Sequence, residues 1–352
     1  MIIKKEYAIL LQSVRVNMTE EEEEQLIDLH NDKIDWGIIA GQMFNHRLGG
    51  YFIKNLSEKR RSYIPKELRC TLELLVQAQR RQTNDIYKVL APILEELDRY
   101  GVRYAGLKGI VLNSSIYAPG DRRSNDTDLL VYEEDLEKLD EILRKHGYLQ
   151  TFGKKVNYKE ATRREKLIQR MNYHDLVPYV KVLDKEFLTE HKIDINFQFD
   201  SKENNITKQI FDYGTVKYKN EFGQVQALPW ETNLAHLCVH FHREGVNSLW
   251  TDGKRDVILY KIVDIMNAIR SCPEPSKIES WPELMNKLNL QKAAYYTMYA
   301  LSQFYEDHRI SKLMQGLNVK DTSFVNEIKR EGKNEIEIRT KSFFESAIDL
   351  QR

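Results

Sequence analysis

The chain has 352 residues, of which 41% are hydrophobic and 10% aromatic, enough for two or three domains and a sizeable core, so disorder is excluded as the default. Its 53 basic side chains balance its 53 acidic ones, so no global field draws in a long polyanion or an anionic membrane, and a nucleic-acid role would need a local patch. Cys70, Cys238 and Cys272 lie far apart with no CxxC pair, which argues against a disulfide framework or thiolate zinc site and for a reducing, cytoplasmic compartment. The N-terminal segment is broken by charge before a signal-like core forms, and no later run approaches the length of a membrane span, so a soluble protein is expected.

The first hundred residues read as helical. Thr19 and Glu22 fit a capping box ahead of an amphipathic segment, and residues 36–56 continue with apolar side chains at helical spacing. Pro65 stands at the start of a long segment in which Leu68, Leu72, Leu75, Ala78 and Gln79 outline one face. Gly101 marks its stop, and Pro92 is a candidate kink.

The character then changes. Residues 102–107 predict a strand, 110–117 a helix, 128–132 a second strand, and 133–148 a helix whose Leu136, Leu139, Ile142 and Leu143 share a face, with Gly147 as its stop. The basic stretch 153–170 reads as a surface helix or a loop; Lys154, Lys155, Lys159, Arg163, Arg164, Lys166 and Arg170 make it a candidate for local phosphate contact. Two further strands, turning near Asp184 and Lys185, predict an antiparallel pair. The remainder is helical around residues 233–244, 257–270 and 293–306, punctuated by Pro229, Pro273 and Pro275. The expected fold class is α+β: a mixed-sheet core at 101–228 between an N-terminal helical region, 1–100, and a C-terminal helical domain, 229–352.

One motif carries chemistry. Asp126-Thr127-Asp128 opens the apolar run Leu129-Leu130-Val131, and on a strand residues i and i+2 share a face, so both carboxylates converge. Such a pair repels unless a cation sits between the two or one holds a proton, so removing either acid from the metal-free protein is expected to leave stability unchanged or raised. Asp194, flanked by Ile193 and Ile195 in an otherwise apolar strand, is the candidate third acid. It joins the pair only if its strand lies beside the first with a register that turns the isoleucines inward. The plainer alternative is a strand-edge acid paired with Lys192 or a nearby base. Oxygen-rich clusters of this sort suit Mg²⁺ or Mn²⁺, and with two metals they activate a hydroxyl and stabilise a leaving pyrophosphate. Lys108-Gly109 ahead of a helix, and Arg122 or Arg123 ahead of the acids, are placed to hold phosphates.

Leu107-Lys108-Gly109, the arginines, Asp126-Thr127-Asp128-Leu129-Leu130-Val131, His174 and Asp194 together resemble the uncharacterised nucleotidyltransferases with a DNA polymerase β-like fold. The similarity runs from about Trp36 into the helical segment at 293–306 and includes Asp264. It implies a metal-dependent transfer of a nucleoside monophosphate from an NTP to an acceptor. Asp126, Asp128 and Asp194 would then be catalytic and metal-binding, and Lys108, Gly109, Arg122 and Arg123 would bind the nucleotide. Where the wider superfamily opens its site with Gly-Ser, this chain has Lys108-Gly109, and Asn196 stands where the family often has histidine two residues after the third acid.

The acceptor stays open among a small molecule, a peptide, a protein side chain and an RNA end. Two other readings compete. One is a catalytically silent nucleotide-binding or regulatory module, which loss of an acid would favour. The other is an HD-type metal phosphohydrolase built on His174-Asp175 with His236, His240, His242, Asp252 and Asp256. Against it, His174-Asp175 opens a strand-like run rather than a helix; zinc-protease chemistry on His236 and His240 fails as well, because Leu237 stands where it needs a glutamate.

Overall fold

The computed structural model describes residues 4–30, 33–153, 158–202 and 204–351. The chain divides into two compact units, one formed by Met1–Leu75 with Leu234–Arg352 and the other by Val76–Asn233. The boundary at 75/76 falls inside the helix Lys66–Arg99, which continues through Pro92. Among the described residues no helix is long and apolar enough to cross a membrane.

In the first unit the two ends of the chain fold together, whereas the sequence pattern divides them into separate helical regions at 1–100 and 229–352. The reason is polar as well as apolar. Arg270, buried on the helix Leu259–Arg270, donates to Val16 O at 2.7 Å and Asn17 O at 2.6 Å and pairs with Glu22 at 2.6 Å. Tyr51 donates to Asp264 at 2.9 Å, and Asn267 donates to Val14 O at 2.9 Å. The capping box at Thr19 forms in both directions, with Glu22 N to Thr19 Oγ1 at 3.2 Å and Thr19 N to Glu22 Oε2 at 3.0 Å. The single helical stretch expected over 36–56 is instead two helices, Trp36–Asn45 and Gly49–Lys54, parted where Arg47 takes a left-handed φ of 60°. A hairpin of Glu327–Lys329 and Ile336–Ile338, not anticipated from the sequence, completes this unit's strands.

The second unit is built on one seven-stranded mixed sheet. Its strands are β1 (Tyr104–Leu107), β2 (Thr127–Val131), β3 (Leu149–Gln150), β4 (Tyr179–Val182), β5 (Glu190–Asn196), β6 (Val216–Asn220) and β7 (Gly223–Ala227), in the order β3-β4-β5-β2-β1-β7-β6. Central β2 runs antiparallel to β1 and parallel to β5, and every residue from Thr127 to Val131 is buried. That explains its near-continuous apolar run. The helix Leu136–Lys145 buries the four side chains that its spacing singles out, Leu136, Leu139, Ile142 and Leu143. These pack with Leu90, Ile93, Leu94 and Leu97 of the long helix and with Leu129, Val131, Ile193 and Ile195 of the sheet.

Strands β4 and β5 form the expected antiparallel pair, with Tyr179 opposite Ile193. The hairpin β6–β7 and the helix Ile206–Tyr213 are additions that the sequence pattern did not reveal. In the basic stretch, Lys154 and Lys155 lie outside the described residues, and the part from Arg163 to Tyr173 is a helix with a full capping box at Thr162 and no buried side chain.

Candidate active site

Strand β1 ends at Leu107, whose register partner on β2 is Asp128. Lys108 follows in a left-handed conformation, φ 49° and ψ −119°, a state that a non-glycine residue holds only when its surroundings enforce it. From there its ammonium donates to Asp128 Oδ1 at 2.7 Å. Gly109 then opens the helix Gly109–Ser115. With seven residues that helix has little dipole to offer a phosphate, so the case for anion binding rests on side chains.

Gly109 is needed for a steric reason. A Cβ there would stand 2.8 Å from Arg122 Nη1 and collide with Ser124 Oγ. The loop ahead of β2 closes over this glycine: Arg122 Nη1 donates to Ser124 Oγ at 3.0 Å, and Asn113 Nδ2 donates to the same oxygen at 3.1 Å. Gly109→Ala is therefore expected to destabilise the protein by about 1–3 kcal/mol, the usual result of overpacking a closed site. A thermal melt checks this, and an unchanged midpoint would mean that the loop is free to yield.

Of the two arginines, Arg122 is buried beside Gly109, and its positive charge favours ionisation of Asp126. Arg123 is exposed and donates to Asn125 at 2.9 Å, so the structure does not bring it to the acids.

Strand β5 alternates strictly between half-buried Glu190, Lys192, Asp194 and Asn196 on one face and buried His191, Ile193 and Ile195 on the other. The isoleucines set the register, and Asp194 falls directly opposite Asp128 on β2. Asp126 lies two residues ahead of Asp128, which repels it, and itself acts on Asp194 by repulsion. Three carboxylates are thus brought to one end of β2 and β5. Lys192 joins them, donating to Asp194 Oδ2 at 2.8 Å. Its signal in the sequence was its spacing, two residues before Asp194 and hence on the same face.

Residues 32–306 match the model of the family described as "Uncharacterised nucleotidyltransferase". The chain belongs to that family. No curated protein matches it. Among solved structures, it is similar to an antigenic nucleotidyltransferase-like protein from Paracoccidioides brasiliensis, with 16% identity and a TM-score of 0.41 over 66% of this chain and 93% of that one. The fold of this nucleotidyltransferase family member is accordingly read from its own sheet.

Burial, and then repulsion from Asp128, push the Asp126 carboxyl above the usual carboxylate range. The same two causes, in the same order, push Asp194 up to about 6 despite the attraction of Lys192. Burial works against the Lys192 charge, but Asp194, with Asp126 and Asp128, more than offsets it, so Lys192 holds its proton more firmly than an ordinary lysine. Beneath the acids, on the opposite face, fully buried His191 bonds Thr127 Oγ1 at 2.9 Å through Nε2 and Tyr148 OH at 2.6 Å through Nδ1. Burial drives its pKa down to about 4, so this histidine is neutral and braces the residue between the two acids.

The members of the competing histidine set have other roles within each unit. His174 is the left-handed cap of the helix Arg163–Tyr173, edge-on to Phe197, and Asp175 bridges to Asn196 and accepts from Gln169 at 2.6 Å. His236 and His240 belong to the other compact unit, where Asp252 pairs with Arg330 and Asp256 with Arg339. Among the described residues, no three His, Cys, Asp or Glu side chains are gathered as a ready-made metal cage. In the acid cluster, Asp128 and Asp194 each turn an oxygen to a lysine.

Proposed function

We propose that this chain is a divalent-metal-dependent nucleotidyltransferase that moves an NMP from an NTP to an acceptor, releasing pyrophosphate. The observation that carries the reading is the register: Asp194 opposite Asp128, with Asp126 two residues ahead, and Lys108 reaching the same carboxylates from the end of β1. The donor set fits Mg²⁺ or Mn²⁺. It is all hard oxygen, and two of its three acids resist ionisation because they are buried and repelled by Asp128. A ready-made three-ligand cage is not required, because Mg²⁺ is commonly held by one or two carboxylates with the rest of its shell from water and substrate phosphate.

Asp126 and Asp128 would hold the metal, with Asp194 beside them. When bound, the metal would polarise the phosphate and stabilise the charge of the leaving pyrophosphate. Lys108 and Arg122 would hold the triphosphate, Arg122 through its forked guanidinium. Asp194, with a proton affinity close to that of an effective general base, would take the acceptor's proton as its oxygen bonds to the α-phosphorus. The bond from that phosphorus to the bridging oxygen breaks, and the electron pair leaves with pyrophosphate.

The test is product analysis with each NTP and Mg²⁺ against small-molecule, peptide and RNA-end acceptors. The expected outcome is pyrophosphate and an adduct heavier by one NMP. Orthophosphate release abolished by His174→Ala and untouched by Asp128→Asn would favour the phosphohydrolase. Mg²⁺-dependent NTP binding with no product across all acceptor classes would favour a silent binding module.

A further inference from the structure

Lys192 enters the acid cluster from β5, on the face that carries Asp194. Its ion pair with Asp194 is 2.8 Å, and that of Lys108 with Asp128 is 2.7 Å. Asp128 and Asp194 are register partners on adjacent strands, so the two ion pairs are neighbours. Three carboxylates are therefore answered by two ammoniums and by the Arg122 guanidinium that acts on Asp126, so the ligand-free cluster is already close to neutral.

This balance treats two kinds of cation differently. A free divalent ion competes with both ammoniums for the carboxylates and sets its charge of +2 beside theirs. A metal–triphosphate complex brings anionic oxygens of its own, to which the ammoniums can transfer. The Lys192 side chain is 39% exposed, so its ammonium is open to an incoming ligand. Its flexible stem lets the charge swing from one partner to another without a change in the strand.

We propose that Lys192 is a transferable counter-cation: it holds Asp194 in the ligand-free protein, excludes free Mg²⁺, and passes to the triphosphate when metal and nucleotide enter together. This rests on the nucleotidyltransferase reading and extends it to the order of binding. Metal and nucleotide arrive as one complex, and Lys192 is a nucleotide-binding residue that also positions the third acid.

The experiment is an Mn²⁺ titration of the intact chain, read by the electron paramagnetic resonance signal of free Mn²⁺, without nucleotide and with ATP, GTP, CTP and UTP in turn. Parent protein is expected to bind Mn²⁺ weakly alone and tightly with its NTP. In Lys192→Met, Mn²⁺ alone should bind about tenfold tighter and the Mn²⁺–NTP complex about tenfold weaker, the scale on which groups around metal ligands tune affinity. Lys192→Arg should return toward the parent pattern. Should the single variant fold poorly, Lys192→Met with Asp194→Asn removes both partners of the pair; the gain for Mn²⁺ alone should then vanish while the weaker NTP binding persists.

A parent that binds Mn²⁺–NTP beside a Lys192→Met protein with both affinities within twofold of parental overturns the proposal alone. Affinities that fall together would make Lys192 merely structural and also overturn it. A folded parent that binds no Mn²⁺–NTP defeats the nucleotidyltransferase reading and, with it, this proposal.

Discussion

Asp128→Asn is expected to weaken Mg²⁺-dependent NTP binding by about 100-fold or more without stabilising the protein. Groups that only support a metal ligand change affinity by about 10–100-fold, so loss of a ligand's charge should reach at least the top of that range. Asp128 is the hub of the cluster, paired with Lys108, opposite Asp194 and two residues from Asp126. The expectation from sequence alone, that relief of like-charge repulsion leaves stability unchanged or raises it, is kept for Asp126, whose burial and proximity to Asp128 disfavour its charge. For Asp128 the ion pair reverses the expectation. Its side chain is 8% exposed and that of Lys108 20%, so an asparagine would leave a half-buried ammonium facing an amide, a change of about 1–2 kcal/mol. Asp126→Asn should therefore melt higher than the parent in chelator, and Asp128→Asn lower. Calorimetric titration with Mg²⁺ and NTP, beside thermal melts of both variants, checks the pair; a rise in both melting midpoints would refute the role given to Lys108.

Asp194→Asn should lower turnover by about 10²–10⁴-fold, the range of a lost general base, and at the same time stabilise the metal-free protein at neutral pH. The sign follows from proton linkage. The folded-state pKa of about 6 lies above the ordinary 3.8, so between those values the native protein binds more protons than the unfolded chain. This group's effect on the metal-free protein is therefore to lower stability as pH rises through that window, with the loss complete above it. Asparagine removes the effect, a gain of about 1–3 kcal/mol at pH 8 that disappears as the pH falls below the ordinary carboxylate range. Denaturant unfolding of both proteins in chelator across that range measures it. A less stable Asp194→Asn at pH 8 would mean that its pairing with Lys192 outweighs burial and the repulsion of Asp128.

Much of the core was legible because its periodicities are local. Leu136, Leu139, Ile142 and Leu143 announce a buried helical face, and alternation around Ile193 and Ile195 announces a strand with its acid turned the other way. Spacing alone places Asp126 and Asp128 on one face. The hairpin β6–β7 was not legible: its inward residues, Val225 and Ala227, sit among Lys217, Lys219, Gln224 and Gln226, too thin an apolar pattern to separate an outer strand from a loop. The union of the chain's two ends was hidden for another reason. It depends on pairs such as Arg270 with Glu22, whose partners are 248 positions apart, and no local period records such a distance.

By itself, then, the sequence determined the residue chemistry and the facing of each element: three acids, the lysine before Gly109, and the isoleucines that turn Asp194 outward. Tertiary structure alone decided which of these meet. Parallel pairing of β2 with β5 puts Asp194 beside Asp128. The closed loop over Gly109 selects Arg122 rather than Arg123. The same sheet face delivers to the acid cluster Lys192, which the sequence offers only as one partner for a strand-edge Asp194. The physical reason is that facing is set by a backbone period of two residues, whereas proximity is set by strand order and register, which arise from the packing of side chains distant in the chain.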